Sequence, residues 1–295
     1  MIHFCFHRWA RVLLASVAAM ALTASMARAQ SPSRILSLGG AVTEILYELG
    51  AGDRIVAVDS TSQFPPEALG THKNVGYLRA LSTEGVLSIA PDTIIASDSA
   101  GPPEVVRALK ASGIDYFEVD NSATADALTG RVRAIAGKVG MTAKGDALAQ
   151  RIEKAFADLA AERSKLTRNP SVLFILNLQG SRATVGGADT VADAMLKLAG
   201  ATNAAASLNG YKPVSEESII AMDPEAIVVM SRTAGHTIRD GVLAIPGIAA
   251  TRAGRNQRVI EMNGLYVIGF GPRAPDAAHD LMKLLQAPKA QGSKG

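Results

Sequence analysis

The stretch Ser82-Thr83-Glu84-Gly85-Val86-Leu87-Ser88-Ile89-Ala90-Pro91-Asp92-Thr93-Ile94-Ile95 returns without a gap as Ser215-Glu216-Glu217-Ser218-Ile219-Ile220-Ala221-Met222-Asp223-Pro224-Glu225-Ala226-Ile227-Val228, each position displaced by 224 − 91 = 133. Each copy reads as a helix with a serine ahead of it, a turn closed by proline, and a short apolar strand. That is a common α/β unit, so the repeat implies no more than two similar lobes.

Working outward from the first copy, Arg34 to Gly40 reads as a buried strand running into a Gly-Gly turn. Ala41 to Gly50 follows as a helix with Val42, Ile45, Leu46 and Leu49 on one face, and Arg54 to Asp59 is a second strand. Ser82 to Ala90 reads as helix, Thr93 to Ala96 as strand, Pro103 to Ser112 as helix, Tyr116 to Val119 as strand and Ala123 to Gly140 as helix. This alternation predicts a mostly parallel sheet covered by helices.

Between the copies, no proline interrupts Lys144 to Leu166, and Leu148, Ile152, Phe156 and Leu159 recur at helical spacing. One amphipathic helix of about 35 Å is expected there. The pattern then restarts with strand Val172 to Leu176, a turn at Gly186-Gly187, helix Thr190 to Gly200 and strand Ile227 to Met230. The expected fold is therefore α/β, with two lobes, each a central mostly parallel sheet flanked by helices, joined by one long bridging α-helix. The divisions are an N-terminal lobe over 30–142, the bridging helix over 143–168, a C-terminal lobe over 169–288 and a tail over 289–295. A single helix between lobes suggests a stiff clamp with limited closure.

The first 29 residues have a different character. Arg8 and Arg11 precede the apolar run Val12 to Thr23, and Ala27-Arg28-Ala29 closes it, which is the layout of a secretory signal peptide cut after Ala29. The run is far short of the roughly 20 residues that span a bilayer. Of the 30 basic residues three are Arg in this segment, which has no acid, so 30 − 3 = 27 basic residues face 27 acidic ones in the remainder. A balanced chain without a basic run gives no reason to invoke nucleic acid or an anionic membrane surface. Cys5, the single cysteine, and Trp9, the single tryptophan, both lie in the signal. The mature chain is thus expected to be a soluble periplasmic monomer without disulfides or thiolate metal ligands.

Four segments carry a family resemblance: Ile35-Leu36-Ser37-Leu38-Gly39-Gly40-Ala41-Val42-Thr43-Glu44, Val75-Gly76-Tyr77-Leu78-Arg79-Ala80-Leu81-Ser82-Thr83-Glu84-Gly85, Gly187-Ala188-Asp189-Thr190-Val191-Ala192-Asp193-Ala194-Met195 and Gly269-Phe270-Gly271-Pro272-Arg273. In this order they resemble the periplasmic haem-binding proteins that serve haem-uptake ABC transporters in iron acquisition, a group with helical-bridge, class III architecture. The resemblance implies haem as transported ligand and a permease dimer as partner. It also implies that Tyr77 is the axial ligand, since phenolate is a hard anionic donor suited to ferric iron. A free phenol ionises near about pH 10, and the iron, helped by the Arg79 cation, would favour the phenolate.

Other candidates are read around that ligand. Arg79 and Arg232 are expected at the haem or its carboxylates. Gly39, Gly40, Gly186 and Gly187 precede helices and could offer backbone N–H groups to a propionate. His236 follows the strand Ile227 to Met230 and is a candidate second iron ligand. Some relatives carry His just after the strand matching Val172 to Leu176, where this chain has Asn177-Leu178-Gln179. Glu84 and Glu217 fall at the same place in the repeat, where the resemblance implies docking to the two permease subunits. His72 and His279 have no metal-site spacing.

Two alternatives remain open. The same fold carries cobalamin or ferric siderophores, although the mature chain lacks Trp and keeps Gly76-Tyr77-Leu78-Arg79. An exported α/β hydrolase would need a G-x-S-x-G elbow or His and acid at metal spacing, and the chain has neither. Asp98 and Ser99 are the nearest approach and read as turn residues.

Overall fold

The computed structural model describes residues 33–180, 182–231 and 238–287. The signal segment with its cleavage site, the tail over 289–295, Arg232 and His236 lie outside these described residues.

In the N-terminal lobe β1 (Ile35–Leu38) leads into α1 (Gly40–Glu48), β2 (Ile55–Val58), α2 (Glu67–Thr71), β3 (Lys73–Asn74), α3 (Thr83–Leu87), β4 (Thr93–Ser97), α4 (Pro103–Ala111), β5 (Asp115–Val119) and α5 (Ala125–Lys138). The strands form one parallel sheet in the order β3-β2-β1-β4-β5. β1 and β4 are buried at every position, as apolar runs covered by helices on both faces must be. The helix expected over Ser82 to Ala90 is shorter than its pattern, because Ala90 takes a left-handed φ of 49° that ends it.

Helix α6 (Thr142–Arg163) has 22 residues, a length of about 33 Å. Its face of Leu148, Ile152, Phe156 and Leu159 is buried in a single core that also takes in Ile35, Val42 and Leu46 from one lobe and Val172, Phe174 and Leu281 from the other. The bridge is therefore packed into both lobes rather than suspended between them.

The C-terminal lobe comprises β6 (Ser171–Gln179), β7 (Arg182–Gly186), α7 (Val191–Leu198), β8 (Thr202–Asn203), β9 (Tyr211–Val214), α8 (Glu216–Met222), β10 (Ala226–Ser231), α9 (Arg239–Leu243), α10 (Pro246–Ala249), α11 (Arg252–Arg255), β11 (Val259–Asn263), α12 (Gly264–Ile268) and α13 (Ala274–Gln286). Its sheet runs β11-β10-β6-β7-β9, with β8 also on β6. β11, β10, β6 and β8 are parallel, but β7 and β9 are antiparallel additions. The sequence reading ended the strand at Leu176, whereas β6 continues to Gln179 and pairs Asn177 with Thr184. Asn177-Leu178-Gln179 alternates polar and apolar groups, which suits an antiparallel ribbon and breaks the apolar run by which buried parallel strands are recognised.

Two polar ties reinforce the junction of the lobes. The Glu44 carboxylate on α1 takes a two-pronged ion pair from the Arg273 guanidinium at 2.9 and 3.0 Å, and the Arg273 N–H at 3.1 Å. Arg273 stacks 3.4 Å from the Phe64 ring centroid. Arg131 on α5, almost fully buried, donates to the carbonyls of Asp120, Ser122 and, across the junction, Phe270. Phe270 in turn stacks on Phe156 of the bridge with centroids 6.3 Å apart. Among the described residues no helix is long and apolar enough to cross a membrane.

Candidate functional site

Parallel α/β sheets open their binding crevices beyond the carboxyl ends of the strands. Here both lobes do so toward each other. A cleft of about 490 Å³ is lined from the N-terminal lobe by Gly39 and Gly40 after β1, Thr61 and Gln63 after β2, Tyr77 to Arg79 after β3, and Ser97 and Ser99 after β4. From the C-terminal lobe it takes Leu176 and Asn177 of β6, Met230 and Ser231 of β10, Tyr211 of β9, and Gly264, Leu265, Ile268 and Gly269 around α12.

The local sequence explains how Tyr77 comes to stand there. The Val75 N–H bonds the Val58 carbonyl and the Ser60 N–H bonds the Gly76 carbonyl, so the chain leaves β3 anchored on β2. Gly76 then takes φ 98°, a conformation that side chains resist, and its N–H is held by the Asn74 side chain at 2.8 Å. Leu78 and Leu81 are buried in the lobe's second core cluster, while Tyr77 and Arg79, on either side of Leu78, are exposed. Tyr77 is 49% exposed, and its hydroxyl has no hydrogen-bond partner among the described residues. A phenol held out from the surface on a pinned turn, with its oxygen free, is a donor available to a ligand.

The two glycine pairs do not serve as the sequence suggested. The Gly39 N–H donates to Asp59 at 2.7 Å and the Gly40 N–H to Thr61 at 3.1 Å, so both are already used. Asp59 is fully buried and also accepts from the Thr61 N–H, the Thr61 hydroxyl and the Ser62 hydroxyl, which places a carboxylate of the protein itself at the positive end of α1. Glycine is needed at 40 for space, since a Cβ would collide with Leu265 and the Thr61 carbonyl. Gly186 and Gly187 do not line the cleft. Gly186 pairs with Tyr211 in the ladder, the Gly187 N–H bonds the Gly210 carbonyl, and a Cβ at 187 would strike the Leu208 carbonyl.

What the sequence reading missed is Tyr211. It brings a second phenol to the cleft, and its signal was legible: Gly210-Tyr211 stands 210 − 76 = 134 positions after Gly76-Tyr77, one residue out of step with the repeat. Gly210 also takes a left-handed φ, of 72°. Burial pushes the Tyr211 phenol up, and the polar groups at Ala192 and Thr190 and the Arg79 charge oppose this only in part. The start of α7 is capped by the Thr190 side chain, which accepts from the Asp193 N–H at 3.1 Å, while Tyr211 and Arg79 line the cleft from opposite lobes. Asn177, also unassigned before, faces the same cleft where relatives were noted to carry histidine. Among the described residues no histidine lines the cleft: His72 bonds the Tyr47 hydroxyl at 2.9 Å and His279 bonds Glu162 of the bridge at 2.8 Å.

Glu84 and Glu217 lie elsewhere, both exposed. Each is the second residue of a helix whose preceding serine side chain, Ser82 or Ser215, accepts the N–H three residues on. The Ser215 hydroxyl holds the Glu217 carboxyl below the usual range. Beside Glu217 is a recess of about 440 Å³ lined by Arg182, Ser215, Glu216, Ile220, Pro246 and Gly247.

Two α/β lobes fixed on one bridging helix, with a ligand-sized cleft between them, are the architecture of a substrate-binding protein. The chain belongs to the periplasmic binding protein family, whose model matches residues 35–264. It is 37% identical to the periplasmic heme-binding protein RhuT of Roseiflexus sp. RS-1 in apo form, over 85% of this chain and 97% of that one, with a TM-score of 0.80. It is 26% identical to an uncharacterised ABC transporter substrate-binding lipoprotein of Bacillus subtilis (strain 168), covering 85% of this chain and 79% of the relative. A vitamin B12-binding protein of Vibrio cholerae serotype O1 is 25% identical over 88% of this chain and 91% of its own.

Proposed function

We propose that this chain is the periplasmic carrier of a haem-uptake ABC transporter, binding ferric haem between its lobes with Tyr77 as axial ligand. The single observation that carries the reading is the Tyr77 hydroxyl, exposed, unpartnered among the described residues and set in the inter-lobe cleft. The likeness to a heme-binding protein at 37% identity, against 25% for a vitamin B12-binding one, supports the cargo. Arg79, two residues on, favours the phenolate and meets a haem carboxylate. A second carboxylate uses the Ala41 and Val42 N–H groups, the next available along α1. Arg232 and His236 are further candidate haem contacts on the C-terminal lobe.

Burying roughly 400 Å² of apolar macrocycle surface contributes about 10 kcal/mol before association costs, so general burial supplies affinity and the Tyr77 oxygen supplies selectivity. The precursor is exported with cleavage after Ala29, works as a monomer, and presents Glu84 and Glu217 to basic groups on the two permease subunits. Titration of the purified protein with ferric haem should give a Soret band, and Tyr77→Ala should alter it. A spectrum unchanged by Tyr77→Ala overturns the ligand assignment.

The vitamin B12-binding relative favours a second reading, cobalamin as cargo. Equilibrium dialysis with cyanocobalamin in place of haem separates them: tight cobalamin binding with no haem binding would replace the haem reading.

A further inference from the structure

Large apolar side chains are exposed at four places among the described residues: Tyr77, Leu87, Ile220 and Leu284. Tyr77 belongs to the cleft. Leu87 and Ile220 are a pair, because 220 − 87 = 133 is the displacement of the repeat itself. Each follows one of the exposed acids by three residues, Leu87 after Glu84 and Ile220 after Glu217. The residue just before each, Val86 and Ile219, is completely buried in its own lobe, so both short helices already have their inward anchor. Leu87 is 37% and Ile220 46% exposed, and neither belongs to its lobe's core cluster.

Residues three apart on a helix share a face, with Cβ atoms about 5–6 Å apart. Each lobe thus shows the same two-part device, an acid at the helix start and an aliphatic stud one turn later. A lone exposed leucine carries no meaning. Equivalent ones, each paired with an equivalent exposed acid in two lobes of otherwise different sequence, call for a partner that is itself two-fold.

We propose that Leu87 and Ile220 are the apolar half of the docking surface for the transporter, each entering a recess beside the basic group that receives Glu84 or Glu217. The proposal rests on the carrier reading above and extends it from charge to shape. Acids give encounter rate and register, while the fully desolvated apolar contact gives residence time. The partner is committed by chemistry: two symmetry-related membrane subunits, each with a cation next to an apolar hollow.

The test is saturable binding of fluorescently labelled carrier to spheroplasts of the source organism, with unlabelled carrier as competitor, a readout that does not depend on the cargo. Leu87→Ser combined with Ile220→Ser should weaken binding by about tenfold or more, Leu87→Met with Ile220→Met should restore it, and Leu284→Ser should leave it within about twofold. Haem titration of the same variants should be unchanged, which shows that they fold and load. If the serine pair binds within about twofold of wild type while Glu84→Ala with Glu217→Ala is lost, the studs are idle and only this inference falls. If neither pair matters, or the wild-type carrier shows no saturable binding, the docking reading falls with it.

Discussion

In the N-terminal lobe Gly76 turns with φ 98° and Tyr77 stands exposed in the cleft; in the C-terminal lobe Gly210 turns with φ 72° and Tyr211 enters β9, its side chain partly buried. The dipeptide and the left-handed turn are the same. What differs is what the hydroxyl finds. Tyr211 sits beside the start of α7, where burial pushes its phenol up and disfavours the phenolate that iron would need. Tyr77 finds no partner among the described residues, because Leu78 and Leu81, which follow it, take the buried positions. Duplicated local structure has thus left one phenol out in the cleft and set the other partly into the scaffold.

The comparison breaks most readily at position 77. Tyr77→Phe keeps the ring and removes the oxygen, so ferric haem affinity should fall about a hundredfold by titration with no change in melting temperature. An effect below about threefold would mean that Tyr77 is wall and not ligand.

Next in size is the tie that holds the two phenols at fixed separation. Glu44→Ala leaves the Arg273 guanidinium without its partner at the junction and should cost on the order of 3 kcal/mol in denaturant unfolding. A loss under about 1 kcal/mol would show that the shared core alone sets the spacing.

Tyr211→Phe should change stability by less than about 1 kcal/mol, since it removes only a partly buried hydroxyl, while haem affinity stays within about tenfold. A larger loss of affinity than Tyr77→Phe would reverse the assignment of the two phenols.

The smallest effect sharpens the comparison with a third phenol. The Tyr116 hydroxyl is buried with no partner, and burial with the neighbouring Glu118 charge pushes its pKa up to about 12. The folded value lies above that of the free phenol, about 10. Stability is therefore intact below about pH 10 and is lost as pH rises toward about 12, where the unfolded chain ionises first. Tyr116→Phe should change neutral stability by less than about 0.5 kcal/mol and remove this component of the alkaline decline. An unchanged pH profile would mean that the hydroxyl is hydrated.

How much of this was legible follows from which signals are local. Alternating apolar runs and helical faces gave the N-terminal sheet, the bridge and its buried face, because each is written within one segment. The hairpin β6–β7 was not legible, since the polar alternation at Asn177 to Gln179 hid a strand that continues past the apolar run. Tyr77 was reached through the segment around it, and its exposure beside buried Leu78 follows from the turn at Gly76. The N–H partners of Gly39 and Gly40, Asp59 and Thr61, were not legible because they lie some twenty residues on and carry no pattern of their own. Glu44 and Arg273 stood in quoted segments, yet a contact across 229 residues has no signature in one sequence.

The most direct test is the absorption spectrum of the ferric haem complex in the wild type, Tyr77→Phe and Tyr211→Phe. A tyrosinate-to-iron charge-transfer band is predicted in the wild type and in Tyr211→Phe, and its loss in Tyr77→Phe. A band that survives in Tyr77→Phe contradicts the account.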